Sequence, residues 1–282
     1  MDLLHIAGVP EPYNLPWHLG MEKGRFAEAG IDLQWHTVPE GTGRMCQMLR
    51  DGVLDMAVLV TEGAVTDILN GGPHRIVSTF VESALPWGVH VPATSSLLTP
   101  ADLKGVRYAI SRLGSGSHIM AMLHAERTGR RPGPDDLEVV HNMSGAARRM
   151  ADPPPVIFLW ERYVTSRYVE TGVMHRVDVV RGDWPGFTIV AREDVIRDRA
   201  EVMERALAVL AEEAIALRED PHSVELVMQN GGFSEELARE WLRHVRWRVG
   251  WPDPASLAGL VRTLRDLELV PAEVPDIARI VA

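Results

Sequence analysis

Cysteine and lysine are scarce in this sequence of 282 residues. The one thiol, Cys46, excludes an internal disulfide and a zinc site built from several cysteines. Lys23 and Lys104 are the two lysines, and each precedes a glycine in a predicted surface turn, where pyridoxal phosphate has no obvious anchor. No HExxH, GxSxG or P-loop motif is present, and the 11 histidines form no spacing typical of a metal site. We therefore expect no metal and no cofactor.

Long apolar runs and an excess of positive charge are also missing. No stretch approaches the ~18 consecutive apolar residues of a membrane helix, and the first residues lack the features of a secretory signal. A net charge of -10 disfavours contact with phosphate backbones. We expect no nucleic-acid partner, no membrane insertion, and a monomer or homodimer. The expected location is cytoplasmic, or periplasmic if the sequence is a trimmed mature form.

Strand and helix signals alternate through the first 80 residues. Apolar or alternating runs predict strands at residues 3–9, 31–38, 54–60 and 76–80. Amphipathic segments predict helices at residues 15–29 and 44–51. Alternation over ~30-residue units indicates an α/β fold with a mainly parallel sheet.

Two similar breaks, near Trp87 and Trp184, enclose about a third of the chain. Further strands are predicted at 89–91, 106–110, 137–141, 156–160, 177–180 and 187–191. The remainder is predicted to be helical, at 194–218, 221–229, 234–245 and 254–267. We expect an inserted lobe at residues 88–186, with the other lobe formed by 1–87 and 187–282. A ligand cleft is then expected between the lobes, with the two connections as a hinge.

Segments 8–10, 22–31, 102–105 and 158–161 resemble type-II periplasmic solute-binding proteins of ABC transporters, in the nitrate/sulfonate/taurine and thiamine-precursor group. Segments 40–45, 61–63, 111–117 and 160–163 are similar to a cytosolic offshoot known from yeasts and bacteria, which lacks a secretion signal. The resemblance implies two α/β lobes, an interlobe cleft and a helical C-terminal region. Residues 151–155 are shorter than the family's pattern, and one cysteine cannot supply the cysteine-rich pattern of its thiamine-precursor synthases.

The strongest chemical signal is a turn between a predicted strand and a long helix that ends at Arg127. Its candidate ligand-binding residues are Ser111, Arg112, Gly114, Ser115, Gly116 and Ser117. N–H groups at a helix start attract anions, glycines let a ligand approach the backbone, and an arginine can grip a carboxylate, sulfonate or phosphate. The alternative is a simple capped turn, with Ser115 or Ser117 as N-cap.

A second glycine-rich turn, in the first lobe, repeats this pattern. It contributes the candidates Gly41, Thr42, Gly43 and Arg44. Thr42 is expected to be the N-cap and Gly43 to permit close approach. Arg44 opposes the helix dipole, which indicates another role, although a surface arginine on a capped helix is the alternative.

Two carboxylates follow predicted buried strands. Thr61 and Glu62 are expected at the cleft rim, where Glu62 can bind a ligand amine or hydroxyl or pair with Arg44; alternatively it stabilises its own helix. Trp160 and Glu161 can recognise an amine by charge and by cation–π contact. The alternative is a core tryptophan and an ion pair with a neighbouring arginine.

The turn after the first strand completes the candidate set. Pro10, Tyr13 and Asn14 offer a stacking face and two-way hydrogen bonding, against the alternative of a rigid proline turn. Trp87 and Trp184 are interpreted as packing at the hinge rather than as ligand contacts.

The favoured function is capture of a small anionic or zwitterionic molecule, of sulfonate, carboxylate or pyrimidine-precursor type, by closure of the lobes. The alternative is a cytosolic enzyme of lyase or hydrolase type, in which Glu62, Glu161, His118 or Cys46 acts as acid, base or nucleophile. No catalytic residue is assigned. A ligand-sensing domain of a regulator ranks third, since no helix-turn-helix precedes the first strand.

Overall fold

The computed structural model describes residues 1–273 and 279–282. Residues 274–278, which belong to the predicted lobe segment 187–282, lie outside the described residues. The chain forms two compact units. The first contains residues 1–84 and 183–282, and the second contains residues 85–182. The sequence predicts these boundaries after residues 87 and 186, a few positions later than in the structure. As a consequence, Trp184 belongs to the first unit.

Each unit contains one sheet flanked by helices. The strands are β1 (Asp2–Gly8), β2 (Ile31–Thr37), β3 (Met56–Val60), β4 (His74–Val81), β5 (Trp87–Pro92), β6 (Arg107–Ile110), β7 (Leu137–Val139), β8 (Val156–Glu161), β9 (Met174–Val180), β10 (Phe187–Arg192) and β11 (Trp247–Gly250). The helices are α1 (Leu15–Glu22), α2 (Arg25–Glu28), α3 (Thr42–Arg50), α4 (Thr61–Leu69), α5 (Gly116–Arg127), α6 (Met143–Arg149), α7 (Ser166–Glu170), α8 (Glu193–Asp198), α9 (Ala200–Glu219), α10 (Ser223–Gly231), α11 (Glu235–His244) and α12 (Pro254–Asp266).

The sheet of the first unit has the strand order β11-β4-β10-β3-β1-β2. Strand β1 pairs in parallel with β2 and β3, whereas β10 runs antiparallel between β3 and β4. Strands β1 to β4 therefore share one direction, and β10 and β11 oppose them. Every residue of β3 except its last is buried, which explains the unbroken apolar run Met56–Val60.

The sheet of the second unit has the order β7-β6-β8-β5-β9. Strand β6 pairs in parallel with β7 and β8, and β5 is antiparallel to β8 and β9. Four of its five strands thus point the same way. The α/β class predicted from the sequence, with mainly parallel sheets and a helical C-terminal region, is confirmed.

Two predicted helices are interrupted, and one strand was not predicted. The helix predicted over 15–29 divides at Gly24, which has a φ of 72° that suits glycine and ends the first helix. The helix predicted over 194–218 divides into α8 and α9. Strand β11 lies between the helices predicted at 234–245 and 254–267, where the sequence analysis predicts no strand, and its Trp247 pairs with Val81 at the edge of the sheet.

Helices α1 and α2 are tied to α9 by a buried carboxylate. Glu213 is 1% exposed, and it accepts from Lys23 Nζ at 2.7 Å and from Arg25 at 3.2 Å. A buried carboxylate is costly unless it is paired, and these two cations pair with this one. One of the two lysines therefore has a structural partner. Among the described residues, no helix combines the length and apolar character that crossing a membrane requires.

Candidate ligand-binding site

The polypeptide that follows β1 forms a short 3-10 turn, Pro12–Asn14, in which all three residues are buried. Asn14 Nδ2 donates to the carbonyl oxygen of Val9 at 2.8 Å. A side chain at Gly8 would lie 2.7 Å from the same amide nitrogen, so the asparagine lies directly over the end of the strand. Its acceptor atom, Oδ1, is buried without a hydrogen-bond partner.

Tyr13 packs inside the first unit rather than offering an open ring face. Its ring centroid lies 5.0 Å from that of Phe187 and 5.0 Å from that of Trp241. Its carbonyl oxygen accepts from Trp247 Nε1 at 2.8 Å. The stacking surface that the sequence suggests for Tyr13 is therefore occupied by aromatic side chains of the core. Pro10, the other candidate of this turn, is exposed.

The N-cap of helix α3 lies one residue earlier than expected. Gly41, with a φ of 79°, is the N-cap, and Thr42 is the first helical residue, so the prediction that Thr42 caps the helix is wrong. The Thr42 hydroxyl instead accepts from Val60 N at 3.4 Å. A Cβ atom on Gly63 would lie 2.8 Å from Thr42 Cγ2, which shows how closely the starts of α3 and α4 approach. Two sets of helix-start N–H groups thus meet at the end of β3.

Glu62 is the buried carboxylate of this region, with 1% of its surface exposed. Its Oε2 accepts from Trp184 Nε1 at 3.0 Å, and its Oε1 is buried without a partner. Burial raises the pKa of Glu62 to about 7, and the hydrogen bond from Trp184 opposes part of that rise. The expected pairing with Arg44 is not found in the part of the chain that the structure describes. Arg44 is instead exposed, with Gly43 beside it half-buried.

Thr61, which starts α4, presents a similar unsatisfied atom. Its N–H donates to Gly186 O at 3.2 Å, while its Oγ1 is buried without a partner. Because β1 and β3 are parallel neighbours, the residues after them lie at the same edge of the sheet. Three buried polar atoms without partners therefore occupy that edge: Asn14 Oδ1, Thr61 Oγ1 and Glu62 Oε1. A polar ligand at this edge can satisfy such atoms.

In the second unit, the serine-rich turn between β6 and α5 forms a closed hydrogen-bond network. Ser117 Oγ accepts from Ser111 N at 2.8 Å and lies 3.1 Å from Ser111 Oγ and 3.0 Å from Ser115 Oγ. Ser115 is the N-cap of α5: its hydroxyl accepts from His118 N and donates to Arg112 O. All three serines are buried. The turn thus contains the cap that the sequence analysis considers, and the ligand role of these residues stays a prediction.

The outer part of this turn is more accessible than the serines. Gly114 is exposed with a φ of 74°, Arg112 is half-buried and Gly116 is buried. The N–H of Gly114 donates to His118 Nδ1 at 3.0 Å. Burial lowers the pKa of His118, which favours the neutral imidazole that accepts this bond. His118 thus helps to shape the turn.

Glu161 and Trp160 end β8 and serve the local structure of the second unit. Glu161 Oε2 accepts from the N–H groups of Tyr163 and Val164, each at 2.9 Å, so the carboxylate caps the turn that follows the strand. Trp160 is half-buried and stacks on Phe158 at a centroid distance of 5.5 Å. Amine recognition by this pair stays a prediction.

Trp184 is the residue of this region whose role the sequence analysis missed. The pattern indicates packing at a hinge, but the structure gives the indole a hydrogen bond to Glu62, 122 positions earlier. The returning strand β10 explains the contact, since Phe187 pairs with Val60 at the end of β3. No local signal in Asp183 to Gly186 could have revealed it.

A scan against protein-family models matches residues 11–224 to the family described as NMT1/THI5 like. The chain belongs to the NMT1/THI5-like family. The resemblance to solute-binding proteins that the sequence suggests is thereby confirmed. No curated protein matches the chain in sequence.

Solved structures place this NMT1/THI5-like chain in the periplasmic-binding-protein fold. The Candida albicans CA3427 gene product, described as defining a family with that generic fold, is 22% identical with a TM-score of 0.90 over 100% of this chain and 96% of its own. The alkanesulfonate-binding protein SsuA from Xanthomonas axonopodis pv. citri, solved with MOPS, is 17% identical with a TM-score of 0.82 over 100% and 98%. The desulfurization enzyme DSZB is 15% identical with a TM-score of 0.61 over 100% and 96%.

Proposed function

We propose that this protein binds a small anionic or zwitterionic molecule of the sulfonate, carboxylate or pyrimidine-precursor type. The observation that carries the proposal is the group of unsatisfied buried atoms at the edge of the first sheet, on Asn14, Thr61 and Glu62. Buried polar atoms are rarely left without a partner, so three at the carboxyl ends of neighbouring strands support a ligand there. The fold shared with alkanesulfonate-binding SsuA supports the choice of ligand class.

The electrostatics of this edge suit an acidic group. Helices α3 and α4 both start there, and their first N–H groups and positive dipole ends favour an anion. Glu62 need not repel it, because a pKa of about 7 allows the carboxyl to hold a proton and donate it to a ligand oxygen. In its ionised form the same carboxylate accepts from a ligand amine. Either state suits a zwitterion such as an aminosulfonate.

The second unit contributes to the proposal through its serine-rich turn. Arg112 is half-buried beside the N-terminus of α5, and a guanidinium in that position can form two parallel hydrogen bonds to a sulfonate or carboxylate. Capture of the ligand by both units, with closure as the sequence predicts, is part of this proposal. A link to an ABC transporter also remains a proposal.

Titration calorimetry with MOPS, taurine, a dicarboxylate and an aminopyrimidine tests the proposal, with native mass spectrometry to detect any molecule that co-purifies. We expect one of these classes to bind at one per chain. Asn14→Ala should weaken binding at least tenfold because it removes an acceptor atom without a protein partner, and Glu62→Gln should do so because an amide has a single acceptor oxygen and cannot ionise. Arg112→Ala tests the second unit in the same way.

Glu236→Gln is the matched control, since this exposed glutamate lies on α11 and should leave the affinity unchanged. If none of the three site variants changes the affinity for a ligand that binds, the proposed site is wrong. If no anionic or zwitterionic compound binds and none co-purifies, the proposed function is wrong.

An enzyme on the same fold is the second candidate, and one observation favours it. A carboxyl group whose pKa is near 7 is well matched to general acid–base catalysis at neutral pH. Incubation of the bound compound with the protein, followed by mass spectrometry of the compound, distinguishes the two functions. Turnover that Glu62→Gln abolishes even at a concentration of compound that saturates the variant would support the enzyme, and an unchanged compound would support binding alone.

A further inference from the structure

Three side chains with metal-binding atoms meet inside the first unit, on three different elements. Cys46 lies on α3, Asp67 on α4 and His74 at the start of β4. The thiol sulfur, a carboxylate oxygen and a ring nitrogen all lie within 4.8 Å of one another. In the part of the chain that the structure describes, no other group of three such side chains comes together.

The histidine of this group is buried and lacks a hydrogen-bond partner. His74 is 0% exposed, and neither of its ring nitrogens forms a hydrogen bond. Its Nε2 lies 3.6 Å from Asp67 Oδ2, which is likewise buried without a hydrogen bond. Buried polar groups nearly always have a partner, so this arrangement calls for one that the protein alone does not supply.

We propose that Cys46, Asp67 and His74 bind a divalent transition-metal ion, with Zn²⁺ as the ion that the donor set favours. A thiolate, an imidazole and a carboxylate are the side chains that Zn²⁺ takes as ligands. Tetrahedral Zn²⁺ with bonds of ~2.0–2.3 Å separates its ligand atoms by about 3.3–3.8 Å. The Asp67–His74 distance already falls in that range, and the sulfur lies no more than 4.8 Å from either of the other two ligand atoms. Three protein ligands leave a fourth position for water.

The surroundings of the three ligands suit an ion. Arg50 NH2 donates to Asp67 Oδ1 at 2.5 Å, which holds the carboxylate by one oxygen and leaves Oδ2 towards His74. Such outer contacts orient the ligands of metal sites. Gly72 keeps the space open: a Cβ there would lie 2.4 Å from Asp67 Oδ2 and 2.9 Å from His74 Cε1. Asp67 is 20% exposed, so an ion can enter from its side.

An ion at this position would join the two helices that begin at the candidate ligand-binding site. Cys46 follows Thr42 by one turn of α3, and Asp67 lies less than two turns after Glu62 on α4. The metal would therefore fix the helix starts relative to each other and to β4. This inference rests on its own residues and does not require the proposed function.

Titration of the chelator-treated protein with CoCl₂ provides the test, because Co²⁺ replaces Zn²⁺ and reports its ligands by absorption. The chain has one cysteine, so a thiolate-to-cobalt charge-transfer band identifies Cys46 without any variant. We expect that band at one Co²⁺ per chain, its displacement by ZnCl₂, and a rise in Tm when ZnCl₂ is added. Absence of the band would overturn the proposal.

Variants separate this site from adventitious binding. Cys46→Ala should remove the band, and Asp67→Asn and His74→Ala should each weaken Zn²⁺ binding at least tenfold, as loss of a ligand requires. His36→Ala is the matched control, because His5 Nδ1 and His36 Nε2 lie 3.0 Å apart and form a half-buried pair of histidines that could bind a metal on its own. Loss of Zn²⁺ binding in His36→Ala, with retention in Asp67→Asn, would show that this histidine pair binds the metal and the proposed site does not.

Discussion

The indole N–H of Trp184 donates a 3.0 Å hydrogen bond to one carboxylate oxygen of Glu62, and both side chains are buried in the first unit. The other oxygen has no partner. Burial raises the pKa of Glu62 to about 7, whereas the indole N–H favours the ionised form. At neutral pH this carboxyl group is therefore partly protonated and partly ionised. The charge of the candidate site around it changes with the same protonation.

Trp184→Phe should raise the pKa of Glu62 above about 7. The substitution keeps an aromatic ring but removes a side-chain donor that stabilises the carboxylate, so that a backbone hydrogen bond remains to oppose the effect of desolvation. The measurement is an NMR titration of the protein with ¹³C-labelled glutamate. Trp17→Phe is the control, since the Trp17 Nε1 is buried without a hydrogen bond and its loss should leave the titration of Glu62 unchanged. An unaltered midpoint in Trp184→Phe would refute the assignment.

Glu62→Gln should stabilise the protein at pH 8 relative to wild type. The folded pKa of about 7 lies above the unfolded value of 4.5, so the folded state binds more protons and wild-type stability falls as pH rises from 4.5 through 7. The difference of about 2.5 units corresponds to a loss of about 3 kcal/mol at high pH. Urea unfolding at pH 4.5 and pH 8 measures it. Glu236→Gln should show no such change, and parallel behaviour of the two variants would contradict the prediction.

His90 should make the protein less stable in acid. Its ring is fully buried in the second unit, where Nδ1 lies 3.2 Å from Phe158 O and Nε2 lies 3.0 Å from Thr165 Oγ1. Burial lowers the pKa of His90 to about 4, so the unfolded chain binds an extra proton between pH 6.5 and 4, and stability falls as the pH drops through that window.

His90→Asn retains a donor near Phe158 and cannot titrate. We expect its free energy of unfolding to fall less than that of wild type between pH 6.5 and 4, by up to about 3 kcal/mol. Asn substitution at His222, which is 70% exposed, provides the control. The prediction fails if His90→Asn and wild type lose stability equally over this range.

Ser115→Ala should cost about 1–2 kcal/mol of stability. Ser115 caps α5 and its buried hydroxyl also contacts Ser117 and donates to Arg112 O. Ser234 caps α11 from an exposed position, so Ser234→Ala should cost less, about 0.5–1 kcal/mol. Chemical denaturation of both variants gives the comparison. Equal costs would show that the serine network adds nothing to the cap.

Local patterns in the sequence predicted much of the fold. The apolar run at 54–60 is the strand Met56–Val60, because a strand with both faces covered needs no polar residues. Gly24 is a helix-ending residue, and the helix predicted over residues 15–29 did not take it into account. Strand β11 also had a signal, since Val245, Trp247 and Val249 alternate with arginines as in a strand with one buried face.

The site depends on contacts that no local pattern encodes. Trp184 reaches Glu62 only because β10 returns between β3 and β4, a topology fixed by the whole first unit. Likewise, Cys46, Asp67 and His74 come from three elements, and their spacing of 21 and 7 positions matches no metal motif. The sequence revealed the glycine-rich turns as helix starts. It could not reveal that buried atoms of Asn14, Thr61 and Glu62 have no hydrogen-bond partner.

The position of β10 also governs the order in which the protein can fold as it leaves the ribosome. Strands β3 and β4 are synthesised first, but the strand that joins them begins at Phe187. The nascent N-terminal segment must therefore wait for about a hundred further residues, with one edge of β3 and both edges of β4 unpaired and open to aggregation. The second unit is continuous in sequence and can complete its sheet during that interval. Chaperones should consequently engage the emerging chain before position 187 is translated, and release it soon afterwards.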